Sequence, residues 1–156
     1  LFAAALAKAN AEADNVRVTM FSDNAKHISV NTDEPVLSIT NKLIGEVYGG
    51  GTNLQAALSL KSRLGFEPDT VIVLSDMQVN YLSSRDVGGL FDKDCVKVAI
   101  NLNAYESTPL DENLGWYQLA GWSERLFDFI PAMRDKQSVV KKLSGSYRSP
   151  GVKELV

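Results

Sequence analysis

The chain has one cysteine and one histidine in 156 residues, no long apolar run and no excess of positive charge. Each scarcity excludes something. Cys95 has no partner with which to form an internal disulfide. Its place beside Val96-Lys97-Val98-Ala99-Ile100 reads as a small buried thiol in a reducing, cytoplasmic compartment. His27 is the only imidazole and falls in an expected hairpin, away from the polar clusters, so a base–nucleophile pair built on it is not expected. No apolar stretch approaches the ~20 residues of a membrane-spanning helix. The net charge of −3 argues against a broad nucleic-acid surface. No G-x-G-x-x-G opens a helix after a strand, which speaks against a dinucleotide fold.

What is present is an ordinary globular balance, with 45% apolar and 22% charged residues, in a length suited to one domain, 1–156. Leu1, Phe2, Ala5, Leu6 and Ala9 share a helical face, and this uncapped helix at the first residue suggests a longer polypeptide upstream. Val16–Ser22 and Lys26–Val30 read as two strands of a hairpin turning at Asp23-Asn24. Asp33 can cap a helix that runs to about Val47, with Leu37, Leu43, Ile44 and Val47 facing inward. Thr52 or Asn53 can cap the next helix, Leu54 to Leu64, which Gly65 and Pro68 end.

Thr70–Leu74 and Val96–Leu102 are continuous apolar runs, as in strands covered on both faces of a parallel sheet. A short helix is expected within Ser83–Phe91, a short apolar segment at Trp116–Ala120, and helices from Ser123 to Met133 and from Lys136 to Leu143. Strands alternating with helices make this an α/β chain. The expected architecture is Rossmann-like, a largely parallel central sheet with helices on both faces.

Two features carry chemistry. Tyr48-Gly49-Gly50-Gly51-Thr52-Asn53 offers a hydroxyl at the entrance to a helix, and Ser75-Asp76 offers a carboxylate at the end of the strongest strand. In open α/β sheets ligands sit beyond the carboxyl ends of the strands. A hydroxyl and a carboxylate suit Mg²⁺ or another hard divalent cation, which takes oxygen ligands and retains waters. Thr52 and Asp76 are therefore the candidate metal ligands, and they make up half a shell. Gly45–Thr52 has phosphate-loop spacing, but Gly51 stands in the lysine position and the loop follows a helix, so it is not read as a phosphate loop.

The order of strand, glycine-rich Thr loop, helix, apolar strand and Ser-Asp resembles the von Willebrand factor A domain. The resemblance covers nearly the whole chain and implies a metal-ion-dependent adhesion site in which Thr52 matches the second motif and Asp76 the third. The family's first motif, Asp-x-Ser-x-Ser, has no counterpart, since Ser22-Asp23-Asn24 has another pattern and lies in a hairpin. The resemblance thus implies an N-terminally truncated domain whose first strand and remaining metal ligands lie upstream of Leu1 or come from a second chain. Val16–Ser22 and Thr70–Ser75 would then flank a slot for that strand.

Gly115–Ile130, with Leu1–Leu6, is further similar to the C-terminal A domain of Ro-type (TROVE) ribonucleoproteins. In that family a ring of helical repeats binds small noncoding and misfolded RNAs. The resemblance implies a binding module and not an enzyme, acting in RNA handling, with an acidic protein side chain as a possible ligand at the metal. A Mg²⁺-dependent hydrolase using Asp76, or an A-domain interaction module unrelated to RNA, are the alternatives. Trp116, Tyr117 and Trp122 could stack on bases, but Glu112, Glu124 and Asp128 nearby favour packing.

Residues 134–156 carry six basic and two acidic side chains, a net +4, which leaves −7 for the preceding part. Lys136, Lys141, Lys142 and Arg148 are the candidate RNA contacts. If they act through phosphates alone, affinity for single-stranded RNA falls with log salt at about −0.7 per contact, a slope no steeper than about −3 for four. A salt series on this chain, with a charge-reversed tail as control, is expected to show weak binding lost at moderate salt. Tight, salt-resistant binding would favour stacking instead.

Overall fold

In a computed structural model, residues 1–11, 16–46, 50–79, 82, 87, 89–103, 109–121, 132 and 135 are described. The chain divides into two compact units, Leu1–Trp122 and Ser123–Val156. In the second, Ala132 and Asp135 are helical; the helices expected at Ser123–Met133 and Lys136–Leu143 otherwise lie outside the described residues. So does most of the Ser83–Phe91 segment, in which Val87 is helical and buried.

The first unit is α/β. Its order is α1 (Phe2–Ala9), β1 (Val18–Phe21), β2 (Ala25–Ile28), α2 (Val36–Gly45), α3 (Leu54–Leu64), β3 (Thr70–Ser75), β4 (Val96–Asn101), a 3-10 turn (Glu112–Leu114) and β5 (Trp116–Ala120). β1 and β2 form an antiparallel hairpin with Val18 opposite Ile28 and Phe21 opposite Ala25. β3, β4 and β5 form a parallel sheet in that order, Thr70 pairing with Val96 and Lys97 with Trp116. Among the described residues β1 and β3 are not paired with each other, and the two sheets share no strand.

β4 is the central strand, and five of its six residues are buried, as its unbroken apolar run requires. β3 has the same kind of sequence but only Val73 and Ser75 are buried, because β4 is its one partner among the described residues. Trp116–Ala120 is a full parallel strand. Its register is fixed from outside the ladder: Gln118 Nε2 donates to the Leu110 carbonyl (3.0 Å) and Lys97 Nζ to that of Leu114 (3.3 Å). Asp111 caps the turn before it, accepting from Leu114 N–H (3.1 Å), and Gly115 supplies the left-handed residue (φ +75°) that turns the chain into the strand.

Two inward faces differ from expectation. In α2 the buried residues are Ile39, Thr40 and Leu43, whereas Leu37 (69% exposed) and Ile44 (62%) face outward. Ile39 and Leu43 are four apart and pack with Ala4 and Ile28. Thr40 joins that face because its hydroxyl donates to the Val36 carbonyl (2.8 Å), which satisfies it locally. In α1 the buried residues are Ala4, Leu6 and Ala7, while Leu1 and Ala9 are exposed. Small side chains allow the close approach to α2. Lys8 spans to the chain before α2 and donates to the carbonyls of Thr32 (3.1 Å) and Glu34 (3.0 Å). Asp33 does not cap α2; Pro35 precedes it, with no side-chain cap.

Cys95 is buried at the start of β4, and removal from water pushes its thiol up to about 11 from 9.0. Between those values the unfolded chain has released the proton and the folded chain has not, so stability falls as pH rises through that window. Urea titrations across it are expected to show the decline in the native chain and its loss in Cys95→Ala. At neutral pH a thiol reagent is expected to modify Cys95 only after unfolding; rapid labelling of the native protein would contradict its burial.

Candidate functional site

The site residues stand at the ends of elements whose termination is locally specified. α3 begins where Asn53 turns its side-chain oxygen back onto the Ala56 N–H (3.0 Å), so Asn53 and not Thr52 is the cap. α3 ends at Gly65 in the left-handed region (φ +59°). Thr52, half-buried, is the residue before the cap. Leu54, just after it, is fully buried.

The β3 exit is equally specified. Ser75 Oγ accepts from Met77 N–H (3.1 Å) and Asp76 Oδ1 accepts from Gln78 N–H (3.1 Å). These bonds hold Met77 at φ +62°, a backbone that an unbranched side chain tolerates only at a cost of about 1–3 kcal/mol. Met77 is buried, and the packing of its side chain offsets that cost. The ladder continues past the strand ends, Leu102 N–H donating to the Ser75 carbonyl (2.9 Å) and Gly121 N–H to that of Asn101 (2.8 Å). Asn101 is buried at this rim and accepts from Asn103 N–H (3.2 Å). Asp76 is half-buried and follows directly on the carboxyl end of the parallel sheet.

Leu54 and Met77, the neighbours of the loop and of the strand end, belong to one apolar cluster with Leu58, Val73, Val87, Ala99, Leu110 and Trp116. The core thus ties the two candidate ligands to elements of a single packing unit. Among the described residues no group of three or more His, Cys, Asp or Glu side chains could hold a metal ion. Thr52 and Asp76 supply one hydroxyl and one carboxylate, both on half-buried residues.

Four further points concern binding. Trp116 is 1% exposed and meets Phe91 edge-on (centroids 6.2 Å, 83°), so it is a core residue and unavailable for stacking on bases. Tyr117, on the other face of β5, is exposed; Trp122 lies outside the described residues, as do Lys136, Lys141, Lys142 and Arg148. His27 sits in β2 with Nδ1 3.0 Å from the Val18 carbonyl. Among the described residues no helix is long and apolar enough to cross a membrane.

Asp23, which the sequence marks only as a turn residue, also reaches the glycine-rich loop. Its Oδ1 accepts from Gly51 N–H (2.7 Å), its carbonyl accepts from Asn53 Nδ2 (3.2 Å), and the Ser22 carbonyl accepts from Asn53 N–H (2.6 Å). The signal was the glycine run itself, which marks a backbone that something approaches closely. No family model, curated protein or solved structure matches the chain.

Asn53 therefore holds both the helix start and the hairpin turn. Asn53→Ala is expected to destabilise by about 1–2 kcal/mol in urea unfolding, at the upper end of the range for a lost cap. Asn53→Asp keeps the cap oxygen and is expected to recover most of that loss. Equal destabilisation by both would assign the effect to the bond with Asp23.

Proposed function

We propose that the chain is a binding module of the von Willebrand factor A type, with a metal-ion-dependent adhesion site to which Thr52 and Asp76 contribute. The observation that carries this reading is the placement of Asp76 at the carboxyl end of β3, with Met77 sharing a core cluster with Leu54 beside the Thr52 loop. Mg²⁺ or another hard divalent cation is the proposed ion. Thr52 would offer a neutral oxygen and Asp76 a carboxylate, directly or through water. The remaining ligands and the strand lying between β1 and β3 would come from a segment upstream of Leu1 or from a second chain. The lack of pairing between β1 and β3 among the described residues supports that part of the proposal.

An acidic side chain of a protein partner would complete the coordination at the open position. The similarity of Gly115–Ile130 to Ro-type A domains extends the proposal to a cytoplasmic ribonucleoprotein that handles noncoding or misfolded RNA. A helical-repeat ring elsewhere in the polypeptide would then carry most of the RNA affinity. Burial of Trp116 supports that division of labour, because it removes one of the stacking platforms this segment could offer.

In the polypeptide extended upstream, Thr52→Ala and Asp76→Ala are each expected to weaken metal-dependent ligand binding with the fold retained. Asp76→Ala has the larger effect, since it removes a charge. The 156-residue chain alone is expected to bind Mg²⁺ weakly or not at all, because two ligands leave the ion's hydration largely intact. Calorimetry showing tight, stoichiometric Mg²⁺ binding that survives Asp76→Ala would overturn the ligand assignment.

A further inference from the structure

The turn of the β1–β2 hairpin closes onto the glycine-rich loop through three hydrogen bonds. Asp23 makes two of them, and one is a carboxylate oxygen 2.7 Å from the Gly51 amide. Gly50 is what admits that carboxylate. A Cβ placed on Gly50 would lie 2.0 Å from Asp23 Oδ2, and its φ of +131° belongs to glycine. The Asp23 carboxylate takes no part in the helix cap, where the Asn53 side chain accepts from Ala56, and none in the hairpin's ladder, which ends at the Phe21–Ala25 pair. Its carboxylate is spent on the backbone one residue before Thr52. A charge-assisted bond of this kind is about twice as strong as one between neutral groups.

We infer that Asp23 is a positioning residue for the Thr52 loop: it fixes Gly51, and so sets where the Thr52 hydroxyl is presented, with Gly50 as the gap through which its carboxylate reaches. The loop's functional use rests on the metal-site reading proposed above; the clasp itself does not. Thr52 is flanked on both sides by fixed groups, Gly51 on Asp23 and Asn53 on Ser22 and Ala56. The backbone that carries Thr52 is thereby preorganised, and the entropy of ordering the loop is met in folding and not in ligand capture.

Amide exchange of Gly51 and Asn53, referenced to amides of β4, tests the clasp in this chain without any metal. Asp23→Ala is expected to speed Gly51 exchange by about tenfold or more, the ratio that a lost hydrogen bond to a charged group carries. The β4 amides should change far less. Asp23→Asn keeps an oxygen at the same position and is expected to restore most of the protection, which a general loss of stability would not allow. Gly50→Ala is expected to mimic Asp23→Ala, and the double variant to be no worse than either alone, since both break one contact. Gly51 protection unchanged in Asp23→Ala, or additive losses in the double variant, would overturn the inference. Should Asp23→Ala fail to fold, Asp23→Asn and Gly50→Ala decide the matter by the same readout. Mn²⁺ added to the polypeptide extended upstream separates the two readings. If the Thr52 and Asp76 resonances are left unbroadened, the metal reading falls while an Asp23-dependent Gly51 protection still stands.

Discussion

Burial of the apolar face of α3 is the constraint on which the rest of this structure depends. Leu54 and Leu58 lie in the cluster with Val73 of β3, Ala99 of β4 and Trp116 of β5, and Phe21 of β1 packs against that cluster. α3 also contacts both strands of the hairpin. The two sheets share no hydrogen-bonded strand among the described residues, so they are joined through side-chain packing on this helix and through Phe21. A fully buried leucine side chain contributes about 1.5–3 kcal/mol. Its directional counterpart is the start of α3, where Asn53, Asp23 and Ser22 fix the helix end and the hairpin turn to one another.

Placing polar groups on such a frame has a cost that the structure meets locally. Met77 takes a left-handed backbone directly after Asp76, and Ser75 and Asp76 side chains hold the turn that requires it. Strain of this sort persists only where its surroundings over-determine it. Here the buried Met77 side chain and the two side-chain acceptors do so. The turn at the end of β3 is thus held by side-chain bonds within one short segment, while the ladder bonds to Ser75 and Asn101 tie the rim to the neighbouring strands.

Much of the fold was legible in the sequence, and the differences have identifiable causes. The apolar runs of β3 and β4 and the limits of α3 are strong local signals, and the structure reproduces α3 from Leu54 to Leu64. The inward face of α2 was misread because Leu37 and Ile44 are larger and more apolar than Thr40. Side-chain hydropathy does not reveal that Thr40 can satisfy its own hydroxyl one turn back. In α1 the expected Leu6 is buried, but it is Ala3 and Ala4 that pack with Ile39 and Leu43 of α2. The candidate ligands were legible as chemistry, a hydroxyl in a glycine-rich loop and a carboxylate at a strand end. Asp23 was not. Its partner lies 28 residues along the chain, and only the fold brings a hairpin turn to a glycine loop.

The central proposal is that this frame is one side of a sheet completed by a further strand, which would bring additional ligands to Thr52 and Asp76. Amide exchange along β3, in this chain and in the polypeptide extended upstream of Leu1, tests it most directly. The β3 amides that do not bond β4 are expected to exchange quickly in the 156-residue chain and to become as protected as those of β4 in the longer one. Identical β3 exchange in both would contradict the claim, because no strand would then have joined the sheet at that edge.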